Sequence, residues 1–187
     1  YVARLHLEGR GVPQNEVLAV EWFRKSADGG RADSAHNLGV IYERSRGELK
    51  NVQEARRWYR VGAERGYAPS QANLGQMLAE GVGGPADIDA ARVLIEKSAA
   101  QGAPRGRYLL GMLTLEGRAG IASNANEGAR LIRQAAEGGD EEAQYRLALL
   151  YGTGKGVARD DKQALEWLRK AAAKRQRDAQ FLLAAVY

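Results

Sequence analysis

One spacing governs what this chain can fold into. Val2, Leu38, Leu74, Leu110, Leu147 and Leu183 stand at intervals of 36, 36, 36, 37 and 36 residues, and each is followed by a small residue: Ala3, Gly39, Gly75, Gly111, Ala148 and Ala184. A second ladder keeps the step. It runs Trp22, Trp58, Leu94, Leu131, Trp167, with Ala19, Ala55, Ala91, Gly128 and Ala164 three residues earlier and Ala27, Ala63, Ala99, Ala136 and Ala172 five later. Self-similarity at such a period marks an array of small units that pack on their neighbours. The step predicts a single array over 1–187, with units at about 1–31, 32–67, 68–103, 104–140 and 141–175 and a partial helix at 176–187.

Within a unit the apolar and small residues fall at helical spacing, as in Leu38, Gly39 and Tyr42, then Ala55, Trp58, Tyr59, Gly62 and Ala63. Each unit therefore reads as two helices, about five pairs in all, and the fold class as all-α. Asn15, Asn51, Asp87, Asn124 and Asp160 stand seven residues before the large residue of the second helix, where a side-chain oxygen caps exposed N–H groups. Glu54, Glu127 and Gln163, three residues on, complete the pattern of a reciprocal capping box. Gly30, Gly66, Gly102 and Gly139 mark the second helix's end, and Arg175 breaks that series. The four prolines, Pro13, Pro69, Pro85 and Pro104, fall in connections or in a helix's first turn, where a missing N–H costs nothing.

The stretch YGTGKGVARDD, Tyr151 to Asp161, has the glycines and lysine of a phosphate-cradling loop. Yet Gly154 and Gly156 occupy the places of Gly9 and Gly11, Ser45 and Gly47, Gly81 and Gly83, and Gly117 and Ala119. A phosphate loop also needs a preceding strand and a Ser or Thr after the lysine, where here Gly156 stands. The stretch reads as a turn between two helices.

Composition narrows the rest. With 44% hydrophobic and 27% charged residues the chain reads as a soluble, folded protein with no membrane span. The absence of cysteine excludes disulfides and thiolate chemistry and suits the cytoplasm and the bacterial periplasm equally. Arginine outnumbers lysine 21 to 7, a composition expected of a GC-rich bacterial genome. The net charge of +5 raises an acidic partner, but acids and bases alternate at helical spacing from Glu21 to Lys25 and from Glu166 to Lys170, as on a solvated face. Because the chain begins at Tyr1 with no leader-like segment, it is expected to be a piece of a longer protein.

The assembled pattern is LG, a tyrosine, GxGV, Asn or Asp, A-x-x-W and a closing alanine before glycine. It resembles the Sel1-like repeat, a subfamily of the tetratricopeptide superfamily. It is carried by EAQYRLALLYGTGKGVARDDKQALEWLRKAAAK, Glu142 to Lys174, and by SAHNLGVIY with EARRWYRVGAERG between Ser34 and Gly66. Departures are local: the turn at Arg44 to Gly47, Leu94 and Leu131 in place of the aromatic, and one extra residue between Gly117 and Asn124.

The resemblance implies a right-handed α/α superhelix, a solenoid whose first helices line a concave face. On the same analogy the partner-binding positions lie two before, one before and two after the ladder leucine. They give His36, Asn37 and Val40; Ala72, Asn73 and Gln76; Tyr108, Leu109 and Met112; Tyr145, Arg146 and Leu149; and Phe181. The aromatic and apolar members suit a peptide or partner helix, with packing between repeats as the competing role. Asn37 and Asn73 could hold a peptide backbone, but no lysine flanks them as in carboxylate-clamp relatives.

An enzyme lacks parts. His6 and His36 are the two histidines, with no metal-ligand spacing, so no metal and no cofactor is expected. Ser26 and Ser98 sit in a small-residue packing slot, and the pairs Glu141 with Glu142 and Asp160 with Asp161 read as helix-start charges. The reading is a non-catalytic scaffold or adaptor that binds a protein or peptide on the concave face, in bacterial envelope assembly or signalling, with a periplasmic or exported setting favoured over the cytoplasm. Self-association through uncapped ends is compatible with it. The alternatives are an RNA- or anionic-polymer-binding array, which calls for a basic stripe along the groove, and a regulatory segment of a larger enzyme.

Overall fold

The computed structural model describes residues 1–174 and 176–186, with backbone alone at 185 and 186. Among them stand eleven α-helices and no strand. They are α1 (Val2–Glu8), α2 (Glu16–Asp28), α3 (Ala32–Arg44), α4 (Val52–Glu64), α5 (Ala68–Glu80), α6 (Ile88–Ala100), α7 (Pro104–Glu116), α8 (Ala125–Glu137), α9 (Glu141–Thr153), α10 (Asp161–Ala173) and α11 (Arg177–Val186). The chain divides into two compact units, Tyr1–Leu94 and Ile95–Tyr187, the boundary falling inside α6. In the first, α1 packs on α2, α2 on α3, α3 on α4 and α4 on α5. The second repeats the scheme from α7 to α11. The all-α, repeat-built expectation is met.

The caps form where the sequence places them. Asn15, Asn51, Asp87 and Asn124 each accept at 3.0 Å from the N–H three residues on, and Asp160 accepts from Lys162 and Gln163. The reciprocal half of the capping box is a correction. Each cap's own N–H is already taken by a carbonyl of the preceding first helix: Asn15 by His6, Asn51 by Tyr42, Asp87 by Leu78, Asn124 by Thr114 and Asp160 by Tyr151, at 2.8 to 3.0 Å. Glu54 and Glu127 turn outward instead to Arg57 and Arg130, and Gln163 turns to Glu166. Those bonds tie the second helix of a pair to the first, a tertiary contact with no signature within the cap.

The glycine-lysine turn is a packing device. Gly154 ends α9 in the left-handed region at φ 73°, and Gly156 follows at φ 72°. A Cβ on Gly156 would strike the Ala125 carbonyl at the start of α8, and one on Gly83 would lie 2.6 Å from the Val52 carbonyl at the start of α4. The turn of one pair thus seats directly on the preceding second helix. The second-helix stops Gly30, Gly66, Gly102 and Gly139 all have positive φ. Arg175, the break in that series, lies outside the described residues.

Successive pairs cross through small residues. Ser26 and Ser34 share a hydroxyl hydrogen bond of 2.8 Å; a Cβ on Gly62 would strike Ser70, and one on Gly106 would strike Ser98. At the same places Ala135 and Ala143, then Ala171 and Ala179, are wholly buried. Close backbones let Leu38, Tyr59, Leu115, Ile132 and Leu147 sink almost completely. Each such side chain contributes about 1.5–3 kcal/mol of transfer free energy. Within a pair, the ring of Tyr59 lies where a Cβ on Gly39 would stand, 2.5 Å from its Cδ1. Polar clamps follow the same step: Gln71, Gln144 and Gln180 donate to the carbonyls of Ala63, Ala136 and Ala172 at 3.1 to 3.3 Å, closing ends of α4, α8 and α10.

Candidate partner-binding site

The positions singled out on the first helices fall in two sets, one per compact unit. In the first unit α3 carries His36, Asn37 and Val40, and α5 carries Asn73 and Gln76; all five are half-buried, whereas Ala72, expected beside them, is wholly buried in the packing and offers a partner nothing. His36 is wedged between the rings of Tyr59 and Tyr67, with centroids 5.5 and 5.3 Å away, and its Nδ1 lies 3.3 Å from the Ser70 hydroxyl. Burial, with the Arg44 guanidinium second, lowers its pKa to about 4. Asn37 donates to the Asp33 carbonyl at 2.8 Å and Gln76 to Glu80 at 2.9 Å, while the Asn73 amide acts to lower the pKa of the Tyr59 phenol. The Tyr59 hydroxyl donates to Glu43 at 2.6 Å, and burial followed by that carboxylate pushes the phenol's pKa up. Val40 packs half-exposed against the core. Asn37 and Gln76 are thus engaged within their own helices and His36 with Ser70, and a partner would have to exchange or extend those bonds.

Serine beside histidine invites a nucleophile reading, which the surroundings oppose. Ser70 is fully buried at the crossing with Gly62, so no substrate atom reaches its hydroxyl. Nor does any group of three or more His, Cys, Asp or Glu among the described residues gather as a metal site. No described helix is long and apolar enough to cross a membrane.

In the second unit α7 carries Tyr108 and Met112, α9 carries Tyr145, Arg146 and Leu149, and α11 carries Phe181. Tyr108 and Met112 pack on the cluster around Leu115, Ile132 and Leu147, while Tyr145 packs on that of Ala148, Leu168 and Ala179. Burial raises both tyrosine pKa values; Asp178 adds to the rise at Tyr145, while Arg105 opposes it at Tyr108. Phe181 is 76% exposed. Leu149 lines an apolar cavity of about 380 Å³ with Ala148, Gly152, Leu165 and Leu182. The Arg146 guanidinium comes only to 3.6 Å from Glu116, and its buried Nε has no partner among the described residues. Arg105, which the sequence reading passed over, sits 5.1 Å above the Tyr108 ring and 3.8 Å from Asp140. Its place one helical turn before Tyr108 was the signal available.

The family model of the Sel1 repeat matches residues 1–30, 32–67, 68–102, 104–140 and 141–175. Among solved structures, a Sel1 repeat protein from Oxalobacter formigenes is 31% identical with a TM-score of 0.81, over 100% of this chain and 74% of that one. A protective antigen present in uropathogenic Escherichia coli strains, displaying an SLR fold, is 35% identical with a TM-score of 0.72, over 99% of this chain but 40% of that one. An immunity protein from Pseudomonas aeruginosa, at 20% identity and a TM-score of 0.65, shares the fold over 96% of this chain and 67% of its own. No curated protein matches.

Proposed function

Because the chain belongs to the Sel1 repeat family, whose members are generally interaction scaffolds, we propose that it is a non-catalytic adaptor holding a protein or peptide on its first-helix faces. One contrast carries the reading. The positions that lock pair to pair, such as Ser34, Ser70, Ala143 and Ala179, are buried, whereas the candidate positions of the same helices, Ala72 excepted, stay at least partly exposed and vary from pair to pair. A regular frame with a variable exposed row presents many shallow contacts. The bacterial sources of the similar structures fit a bacterial setting, in which the proposal places the adaptor in envelope assembly or signalling. A photo-crosslinking amino acid at Val40 or Tyr145 is expected to yield protein adducts in cells, and one at the exposed Arg60 or Arg133 of the second helices is not. Equal labelling from both faces, or adducts to RNA alone, would reject the proposal.

A further inference from the structure

The turn from Arg44 to Asn51, between α3 and α4, departs from the repeat in its charge. Six residues after each ladder position stand Glu8, Arg44, Glu80, Glu116 and Thr153, and two residues further on Arg10, Arg46, Val82, Arg118 and Lys155. Where an acid and an arginine hold these two places they pair: Arg10 lies 3.2 Å from Glu8, and Arg118 lies 3.4 Å from Glu116. In the second pair the acid is replaced by Arg44. The residue before the cap repeats the loss, since Arg159 meets Asp161 at 3.1 Å whereas its counterpart Lys50 finds Val52 in the acid's place. Two missing carboxylates thus leave three exposed cations, Arg44, Arg46 and Lys50, that no ion pair engages among the described residues.

The acids nearby do not take the missing places. Glu16 accepts from the Ser45 hydroxyl at 2.9 Å and Glu43 from the Tyr59 hydroxyl at 2.6 Å, so both are committed to the fold. Glu48, in the short 3-10 turn Gly47–Leu49, is exposed and has no ion pair among the described residues. The turn is also open where others are closed: a Cβ on Gly47 would meet nothing within 4 Å, although its counterparts Gly83 and Gly156 press on the preceding second helix. Exposed ion pairs add little to stability, so the fold loses little without them. Two guanidiniums at places where opposite charges otherwise meet can close on one incoming carboxylate. A nucleic-acid backbone would call for cations that continue from turn to turn. They do not continue in this unit, because the turn before has Arg10 on Glu8 and the turn after, from Gly81 to Asp87, carries no cation.

Resting on the scaffold reading for the class of partner but lying outside its first-helix faces, this turn is, we propose, a second docking point, where Arg44 and Arg46, assisted by Lys50, hold a glutamate or aspartate of an acidic segment in a partner protein. The test is fluorescence anisotropy of the whole chain, at low and at physiological salt, with a labelled peptide of alternating Glu and Ser, its Gln counterpart, and oligouridine. The glutamate peptide should bind about tenfold tighter than the glutamine one and weaken as salt rises. Arg44→Glu installs the residue that Glu8, Glu80 and Glu116 provide in three other pairs, so it should keep or raise Tm and still weaken the glutamate peptide by about tenfold. Arg60→Glu makes the same change of charge at an exposed place on α4 and should weaken it by no more than about twofold. Glu48→Gln removes the turn's own competing carboxylate and should tighten binding. Equal weakening by Arg44→Glu and Arg60→Glu would mean attraction by net charge alone and overturns the assignment, as does a glutamine peptide that binds equally well. Oligouridine that outcompetes the glutamate peptide and is lost with Arg44→Glu overturns it in favour of a nucleic acid. If Val40 and Tyr145 cross-link proteins while the glutamate peptide does not bind, the turn is wrongly assigned and the scaffold stands. Selective binding at the turn with no adducts from Val40 or Tyr145 supports the turn and rejects the first-helix faces.

Discussion

His36 shows how a residue chosen for its exposure acquires a second role through its neighbours. The rings of Tyr59 and Tyr67 leave its imidazole little water, so the neutral form is favoured and the folded pKa falls to about 4. An unfolded chain protonates the same group near the ordinary value of about 6.5. A depressed folded pKa means that the unfolded state binds the extra proton first. The stability this residue contributes is therefore complete above about pH 6.5 and drains away as pH falls towards 4, by at most about 3 kcal/mol. Denaturant titrations at steps across that window should show His36→Gln with a shallower loss than the parent chain, and parallel curves would contradict the assignment. Gly156 teaches the complementary lesson: the repeat step marks its phosphate-like string as a turn, and the Ala125 carbonyl lying against it gives the reason a side chain does not fit there.

The elements owe their ends to short local signals and their joints to bonds across pairs. Asn51 accepts from the Glu54 N–H at 3.0 Å, so Asn51→Ala should cost about 1 kcal/mol, with a measurable fall in Tm. Glu54 plays no part in that cap beyond its N–H, since its carboxylate faces Arg57 at 3.5 Å on the surface. Glu54→Ala should accordingly leave stability within a few tenths of a kcal/mol, where removing the acceptor of a true capping box would lose more. The pattern of acid three after the cap was legible in the sequence. That the Tyr42 carbonyl had already claimed the Asn51 N–H was not, because that bond spans nine residues of turn.

For the whole molecule, each helix of a unit packs mainly on the helices beside it in sequence, so stability is expected to add up neighbour by neighbour. α1 and α11 each pack on one neighbour, α2 and α10, whereas α4 and α8 sit between two. Hydrogen exchange read by mass spectrometry should find α1 and α11 opening first and α4 and α8 last within their units. Uniform protection along a unit would indicate a single cooperative core instead. The same arrangement accounts for Phe181: it holds the ladder position of Tyr108 and Tyr145, yet no described helix lies beyond α11 to cover it.

The periodic letters alone determined that this chain makes paired helices, where they start and stop, and which leucines and alanines go inside. Those choices depend on contacts three or four residues apart, which recur at a fixed step and so are written locally. Only the tertiary structure decided which polar groups meet across helices, as with the Tyr59 hydroxyl of α4 on Glu43 of α3, and with Arg146 of α9, which faces Glu116 of α7 and keeps its Nε unpartnered among the described residues. A hydrogen bond between side chains of different helices depends on distances that no single helix encodes, so the character of the first-helix face emerges only when the pairs are stacked.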